Sequence, residues 1–232
     1  MNSIQSRIFV LAVSALLALA GCSGSFQEVR ASFHASVPTG PSSTVTIGNI
    51  VGEVRVKPST AGVVDVTATK YASNQSGLAN IDIVAHSVSD GVSVQTIYRN
   101  GHAGGVRYDI TVPQDASIRI TNTTGTIKVG PVGGSIVAST ATGTIDVRLG
   151  RLATKRLIDL KSTTGTIDVH IASDSGANVS ASSAIGSISS EFPSVETTRN
   201  NLVGANAAGR IGNGAATVRL SVGTGSISID RE

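Results

Sequence analysis

Polar and apolar positions along this chain repeat as one motif, six times over. An apolar residue is followed two positions later by another, glycine comes seven after the first, and Thr/Ser-Ile or an equivalent follows. The copies begin at Val45, Ile118, Ile136, Ile158, Val179 and Val218, and their glycines are Gly52, Gly125, Gly143, Gly165, Gly186 and Gly225. Alternation at period two turns the apolar positions to one face and the intervening ones to the other. Each copy therefore predicts two strands meeting at a glycine corner, where a backbone without Cβ takes a bend that a side chain would resist. Recurrence of such a unit predicts stacking, like strand upon like strand, at about 4.8 Å. The expected fold is all-β: a parallel, β-helix-like β-solenoid.

Spacing and side-chain size refine this picture. From Ile118 onward the copies start 18, 22, 21 and 39 residues apart. The last gap is wide, so residues 191–215 read as an inserted loop or one degenerate coil, and Gly204, Gly209, Gly212 and Gly214 suggest a loop. The Val179 copy is the weakest, because Ala181, Ser183 and Ser190 stand where other copies carry larger inward residues.

Between 63 and 113 the motif gives way to plain alternation. Val64-Asp-Val66, Ile81-Asp-Ile83, Val92-Ser-Val94 and Val106-Arg-Tyr108-Asp-Ile110-Thr-Val112 read as antiparallel strands. Asp90-Gly91 is a tight-hairpin signal, and Pro113 ends the last run. The expected organisation is one domain over 44–232, with an N-terminal antiparallel hairpin insertion at 63–113 and main coils at 118–230. Residues 22–43 read as a flexible tether, from Ser23-Gly24-Ser25 and Pro38-Thr39-Gly40-Pro41.

The first 21 residues read as a targeting segment. Ile8 to Leu19 is an apolar run of signal-peptide length, preceded by Arg7. It ends in Leu19-Ala20-Gly21-Cys22, which resembles the bacterial lipoprotein signal, and Cys22 is the chain's single cysteine. That resemblance implies cleavage before Cys22 and multiple acylation of it, hence a stable membrane anchor. It also implies a cell-envelope location. Ser23 after the cysteine implies the outer membrane if the host is Gram-negative.

Composition narrows the function classes. Tryptophan is absent, there are three Tyr and four Phe, and the formal charge is only +3. So slight an excess of charge, without aromatic stacking platforms in the repeats, gives no nucleic-acid footprint. No second apolar span follows the first. His34, His86, His102 and His170 are scattered, none at metal-ligand spacing. No Gly-x-Ser-x-Gly elbow occurs, and Arg99 to Arg107, although glycine-rich, joins strands rather than opening a helix. No cofactor is expected.

The order of these parts carries a further resemblance. A Val45–Val56 copy, then hairpins closing on Ile110-Thr-Val112-Pro113, then tandem strand-Gly-[Thr/Ser]-Ile coils is similar to the bacterial putative-adhesin β-solenoid family, over about residues 44 to 230. The resemblance implies a right-handed β-helix-like fold in an envelope domain, with no established catalytic residues.

The candidate chemistry lies on outward positions. Thr126, Thr144, Thr166, Ser187 and Ser226 follow the glycines and should form a ladder, with Lys128, Asp146, Asp168, Ser189 and Ser228 beside it. Such ladders suit ordinary sheet packing, and they also suit a polysaccharide or other repetitive partner. Asp146 and Asp168 alone are too few for a calcium site. Arg148, Arg151, Lys155, Arg156 and Lys161 cluster between two coils as a candidate contact for an anionic surface, against the plainer reading of a solvated loop. The expected role is a lipid-anchored envelope protein, structural or adhesive and not an enzyme, meeting the membrane through its anchor and a glycan or protein through its coils. The alternatives are a polysaccharide-acting β-helix enzyme, which would need acids and bases converging in a groove, and a self-assembling envelope scaffold.

Overall fold

The computed structural model describes residues 28–101, 104–200 and 203–232. The targeting segment and Cys22 lie outside these residues. The fold is all-β in one large mixed sheet, with a single short helix among the described residues. In chain order the elements are β1 (Val29–Pro38), β2 (Thr44–Ser59), β3 (Val63–Ala72), α1 (Gln75–Ala79), β4 (Ile81–Val88), β5 (Gly91–Tyr98) and β6 (Gly104–Pro113). They continue as β7 (Ser117–Val129), β8 (Ile136–Arg148), β9 (Leu157–Ile171), β10 (Ala177–Ser190), β11 (Val195–Asn200), β12 (Gly204–Ile211) and β13 (Ala216–Arg231).

The six motif copies are the long strands β2, β7, β8, β9, β13 and β10, side by side in that order and all parallel. Registration is glycine to glycine: Gly52 opposes Gly125, then Gly143, Gly165, Gly225 and Gly186 in turn. Each corner glycine has φ between 125° and 143°, a region closed to most L-residues. A Cβ on Gly143 would also be driven into the carbonyl oxygen of Gly125. The motif's glycine is thus required twice, by dihedral angle and by the closeness of the next strand.

Three expectations need correction. First, antiparallel strands join the parallel ones not only in the N-terminal hairpin region, as expected, but also beside β10, so the sheet is mixed at both ends. Second, residues 29–38 are not tether but β1, paired antiparallel with β3 from Val29 opposite Ala72 to Pro38 opposite Val63. Their alternation, with Val29, Ala31, Phe33, Ala35 and Val37 facing in, supplies the reason. Third, residues 191–215 are neither loop nor degenerate coil. They form the antiparallel pair β11–β12, and β12 pairs antiparallel with the first half of β10. That hairpin explains the wide spacing before the last copy. It also lets β13 return between β9 and β10, so spatial order departs from chain order. The weak copy becomes the outermost parallel strand.

The 63–113 segment does more than cap the sheet. The start of β2 (Thr44–Gly48) pairs with β5, and its end (Val54–Ser59) with β6, both in parallel. β5 and β6 together occupy the place of one further motif strand, broken where the others have a glycine. Val92 and Val94 continue the columns of Val45 and Ile47, and Tyr108 and Ile110 those of Val54 and Val56. β4 then pairs antiparallel with β5, β3 with β6, and β1 with β3.

The core is a set of stacked columns. Ile127, Ile145, Ile167 and Ile227 are fully enclosed, as are Val147, Val169 and Ile229. Buried polar side chains run beside the glycines through Asn49, Asn122, Thr140 and Ser162, and return at Ser183 beyond the intervening Val222. Asn122 Nδ2 donates to the Gly52 carbonyl at 3.1 Å, and Ser183 Oγ to the Gly225 carbonyl at 3.1 Å. These side chains meet carbonyls that a corner turns away from regular pairing.

Candidate functional surface

The strand halves that follow the glycines present a broad outer face. Two rows cross it. The first runs Glu53, Thr126, Thr144, Thr166, Ser226, Ser187, and the second Arg55, Lys128, Asp146, Asp168, Ser228, Ser189. The expected ladders are therefore present, in the order set by the position of β13. Thr166 and Ser226 hydroxyls lie 3.5 Å apart, and Ser189 Oγ donates to Ser228 Oγ at 3.4 Å.

Charge is graded along this face. Toward β6 it is mixed and mostly basic: Glu53 receives Arg55 at 2.8 Å, Arg107 at 3.5 Å and Lys128 at 3.6 Å, and Asp109 lies 3.5 Å from Arg55 and 3.7 Å from Lys57. Lys128 sits opposite Asp146 in register, yet its ion pair is with Glu53. Farther along, Asp146, Asp168 and Asp230 gather around His170. The imidazole is 3.6 Å from Asp146 and 3.8 Å from Asp230. Ser228 donates to Asp230 at 2.6 Å. Asp168 titrates above the ordinary carboxylate range, chiefly because partial burial disfavours its charge and then because Asp146 and Asp230 repel it; His170 opposes the shift. Beyond this cluster only the serines of β10 remain.

His170 was read as an isolated residue in the sequence. Its partner Asp230 is distant in the chain but directly opposite in register, a neighbour created by the insertion of β13. Among the described residues no group of three or more His, Cys, Asp or Glu side chains is arranged to hold a metal ion. An open groove lies over the glycine row, bordered by Thr166, Ile185, Ser187, Thr224 and Ser226.

The five-residue basic cluster is dispersed. Arg148 pairs with Glu232 at 3.3 Å and Arg151 with Asp174 at 2.9 Å. Lys161 meets Asp159 at 3.2 Å. Lys155 is exposed beside an open cleft bordered by Asn178, Thr217 and Arg219. Arg156 turns inward: its guanidinium donates to the Val132 carbonyl and, at 2.7 Å, to that of Leu149. Burial holds its pKa below the usual arginine value. Arg156 is thus a clamp between loops, while Arg151 and Lys155 remain at the surface.

A second polar group lies inside, where the split strand meets β2. Thr96 Oγ1 donates to Asn49 Oδ1 at 3.0 Å and lies 2.6 Å from the Tyr108 hydroxyl. Asn49 Nδ2 donates to the Val106 carbonyl at 3.4 Å. Tyr108 is fully buried, which pushes its phenol pKa strongly upward. Tyr98, partly buried, is pushed up to about 12 and donates to the Gly104 carbonyl at 2.9 Å. Both phenols stay protonated at neutral pH and act as structural hydrogen-bond partners.

The fold is shared with a protein described as a putative cell adhesion protein from Clostridium sporogenes ATCC 15579. The TM-score is 0.68 at 10% identity, covering 88% of this chain and 100% of that one. A putative adhesin from Bacteroides fragilis NCTC 9343 aligns over 90% of this chain and 99% of that one, at 12% identity and a TM-score of 0.34. No protein-family model matches the chain, and no curated protein matches it. Among the described residues no helix is long and apolar enough to cross a membrane.

Proposed function

We propose that this chain is a lipid-anchored bacterial cell-envelope protein, seated in the outer membrane if the host is Gram-negative, whose parallel strands wind as a β-solenoid. Its role in this reading is adhesive, not catalytic. The observation that carries it is the outer face, where a hydroxyl ladder runs beside a second row that passes from basic residues (Arg55, Lys128) through acids (Asp146, Asp168) to serines (Ser228, Ser189). Such a face offers repeated, evenly spaced hydrogen-bonding groups, the geometry suited to a glycan chain or an extended protein segment. The acids around His170 lie on that open face rather than in an enclosed pocket, which supports binding over catalysis. The name of the Clostridium sporogenes neighbour agrees with the reading.

Two experiments test its separate parts. Labelled palmitate should enter the native protein and not the Cys22→Ser variant; absence of label from both would end the anchoring claim. Affinity capture from intact envelopes, with the N-terminus retained, should recover a glycan or protein partner that is lost when Thr144 and Thr166 become lysine. Retention by that variant would move the contact off this face. The exposed cations offer an auxiliary contact with anionic lipid, tested by Arg151→Glu with Lys155→Glu on anionic vesicles; Arg156 is left intact because it clamps the loops.

A further inference from the structure

Four strand edges bound this sheet among the described residues, and three of them carry charge. β1 has Arg30 and His34 on its outer face and ends at Pro38, β4 carries Asp82 and His86, and β11 carries Glu196 and Arg199. Charges and proline on an edge discourage another strand from adding to it. The fourth edge is the later half of β10. β12 covers β10 only from Ala177 to Ser183; of the remainder, Ile185 to Ser190, the only described strand partner is β13, and Gly186 alone bonds on the other side, to Val203. That segment, Ile-Gly-Ser-Ile-Ser-Ser, has no charge and no proline.

The backbone fixes which groups point outward. Gly186 N–H donates away from β13, to the Val203 carbonyl at 2.7 Å, while Glu191 N–H donates to Ile229 of β13 at 2.9 Å. Successive residues of a strand direct their N–H and C=O to alternate sides. Ile188 and Ser190 therefore share the side of Gly186 and present their amide groups at the open edge. Ile185 and Val203, which are 54% and 61% exposed, flank its start.

We propose that two copies of this chain pair antiparallel through Ser187–Ser189, with Ile188 opposite Ile188 on a two-fold axis, the Gly186 N–H being already bonded to Val203. A segment centred on a residue whose N–H and C=O both face the edge is self-complementary. Half a turn brings each Ile188 amide against the other's carbonyl, closing a hydrogen-bonded pair. Ser187 then falls opposite Ser189 of the second copy at a close, non-hydrogen-bonded position, and no like charges meet. The two-fold arrangement uses up this edge, so assembly stops at two. One short edge gives a small contact, and the dimer should be weak and concentration-dependent. The inference rests on the sheet edge alone and stands apart from the adhesive reading.

Sedimentation of the whole chain in density-matched detergent tests it. The native protein should move from monomer to dimer as concentration rises. Ser187→Lys with Ser189→Lys places lysine opposite lysine twice and should weaken the dimer by about tenfold or more. Ser187→Lys with Ser189→Glu places opposite charges at the same contacts and should restore it. Thermal melts of both variants establish that they fold. A native chain that stays monomeric, open-ended assemblies, a dimer indifferent to both variants, or one that the Lys/Glu pair leaves as weak as the Lys/Lys pair would each overturn the proposal.

Discussion

The parallel strands end in two different ways. Beside β2 the stack closes on a bulky core: the split strand β5–β6 brings fully buried Tyr108, its hydroxyl held by Thr96, and β3, β1 and β4 add antiparallel cover. At β10 the columns taper. Ala181, Ser183 and Ser190 continue lines that hold Leu220, Val222 and Ile229 on the neighbouring strand, and only the first half of the strand is covered. Phe192, beneath Arg231 at 5.1 Å, provides the aromatic cover there. The contrast teaches that a repeat of this kind is uniform in the middle and must be finished differently at each end. One end is sealed by volume and hydrogen bonds, and the other is left with an edge.

The sharpest way to break this comparison is at the corners. Gly143→Ala, in the middle, meets both a forbidden φ and the Gly125 carbonyl with strands fixed on either side. It should lose about 3 kcal/mol or more, judged by combined strain and overpacking. Gly186→Ala faces the same geometry against Gly225, but no strand pairs with its outer side, which is held there only by the bond to the Val203 carbonyl, so it can move. A loss about half as large is expected in urea denaturation. Equal losses at the two sites would mean the β10 end is as rigid as the centre.

At the sealed end, Tyr108→Phe removes one hydroxyl from a buried network. It should cost about 1–2 kcal/mol, the usual penalty for leaving a buried partner unmatched. A change under a few tenths would show that Thr96 and Asn49 satisfy each other without it.

At the tapered end the sign reverses. Ser190→Val extends the column of Val129, Val147, Val169 and Ile229 and should stabilise by about 0.5 kcal/mol, the gain from added buried methyl groups being partly offset by loss of the Phe192 N–H bond to Ser190 Oγ. Thermal unfolding checks it, and a destabilised variant would show that the column stops before β10.

The smallest effect concerns the outer face between the ends. The Asp168 pKa is raised in the folded state, so between the ordinary aspartate value and that raised value the folded chain binds more protons than the unfolded chain. Its contribution is therefore unfavourable at neutral pH and is relieved as the pH falls through the folded value. Because the carboxyl is partly exposed, Asp168→Asn should gain only a few tenths of a kcal/mol at pH 7, and nothing once the pH is below about 4. Denaturation at the two pH values separates this from a general packing effect.

Much of the fold was legible from residue pattern, and the reason is local. Period-two alternation fixes which side chains face in, and a glycine at constant offset fixes where each strand must bend, so ladders such as Thr126–Thr144–Thr166 follow from the sequence. What escaped were relations between distant segments. β1 was hidden by turn residues on either side of a short alternating run. The β11–β12 hairpin was masked by its glycines, among them Gly204 and Gly209, which sit inside or at the start of a strand rather than in a loop. The basic residues looked like one cluster because they are neighbours in sequence, yet strand and loop directions send Arg156 inward and Lys161 to another face.

The sequence by itself determined an all-β chain, its corner glycines, its inward columns and its outward rows, because each depends on a few consecutive residues and on backbone sterics. Only the tertiary structure decided the order of the strands. β13 lies between β9 and β10, a placement that joins segments far apart in the chain and that no single segment contains. From that choice follow the meeting of His170 with Asp230, the mixed ends of the sheet, and the uncovered edge at β10.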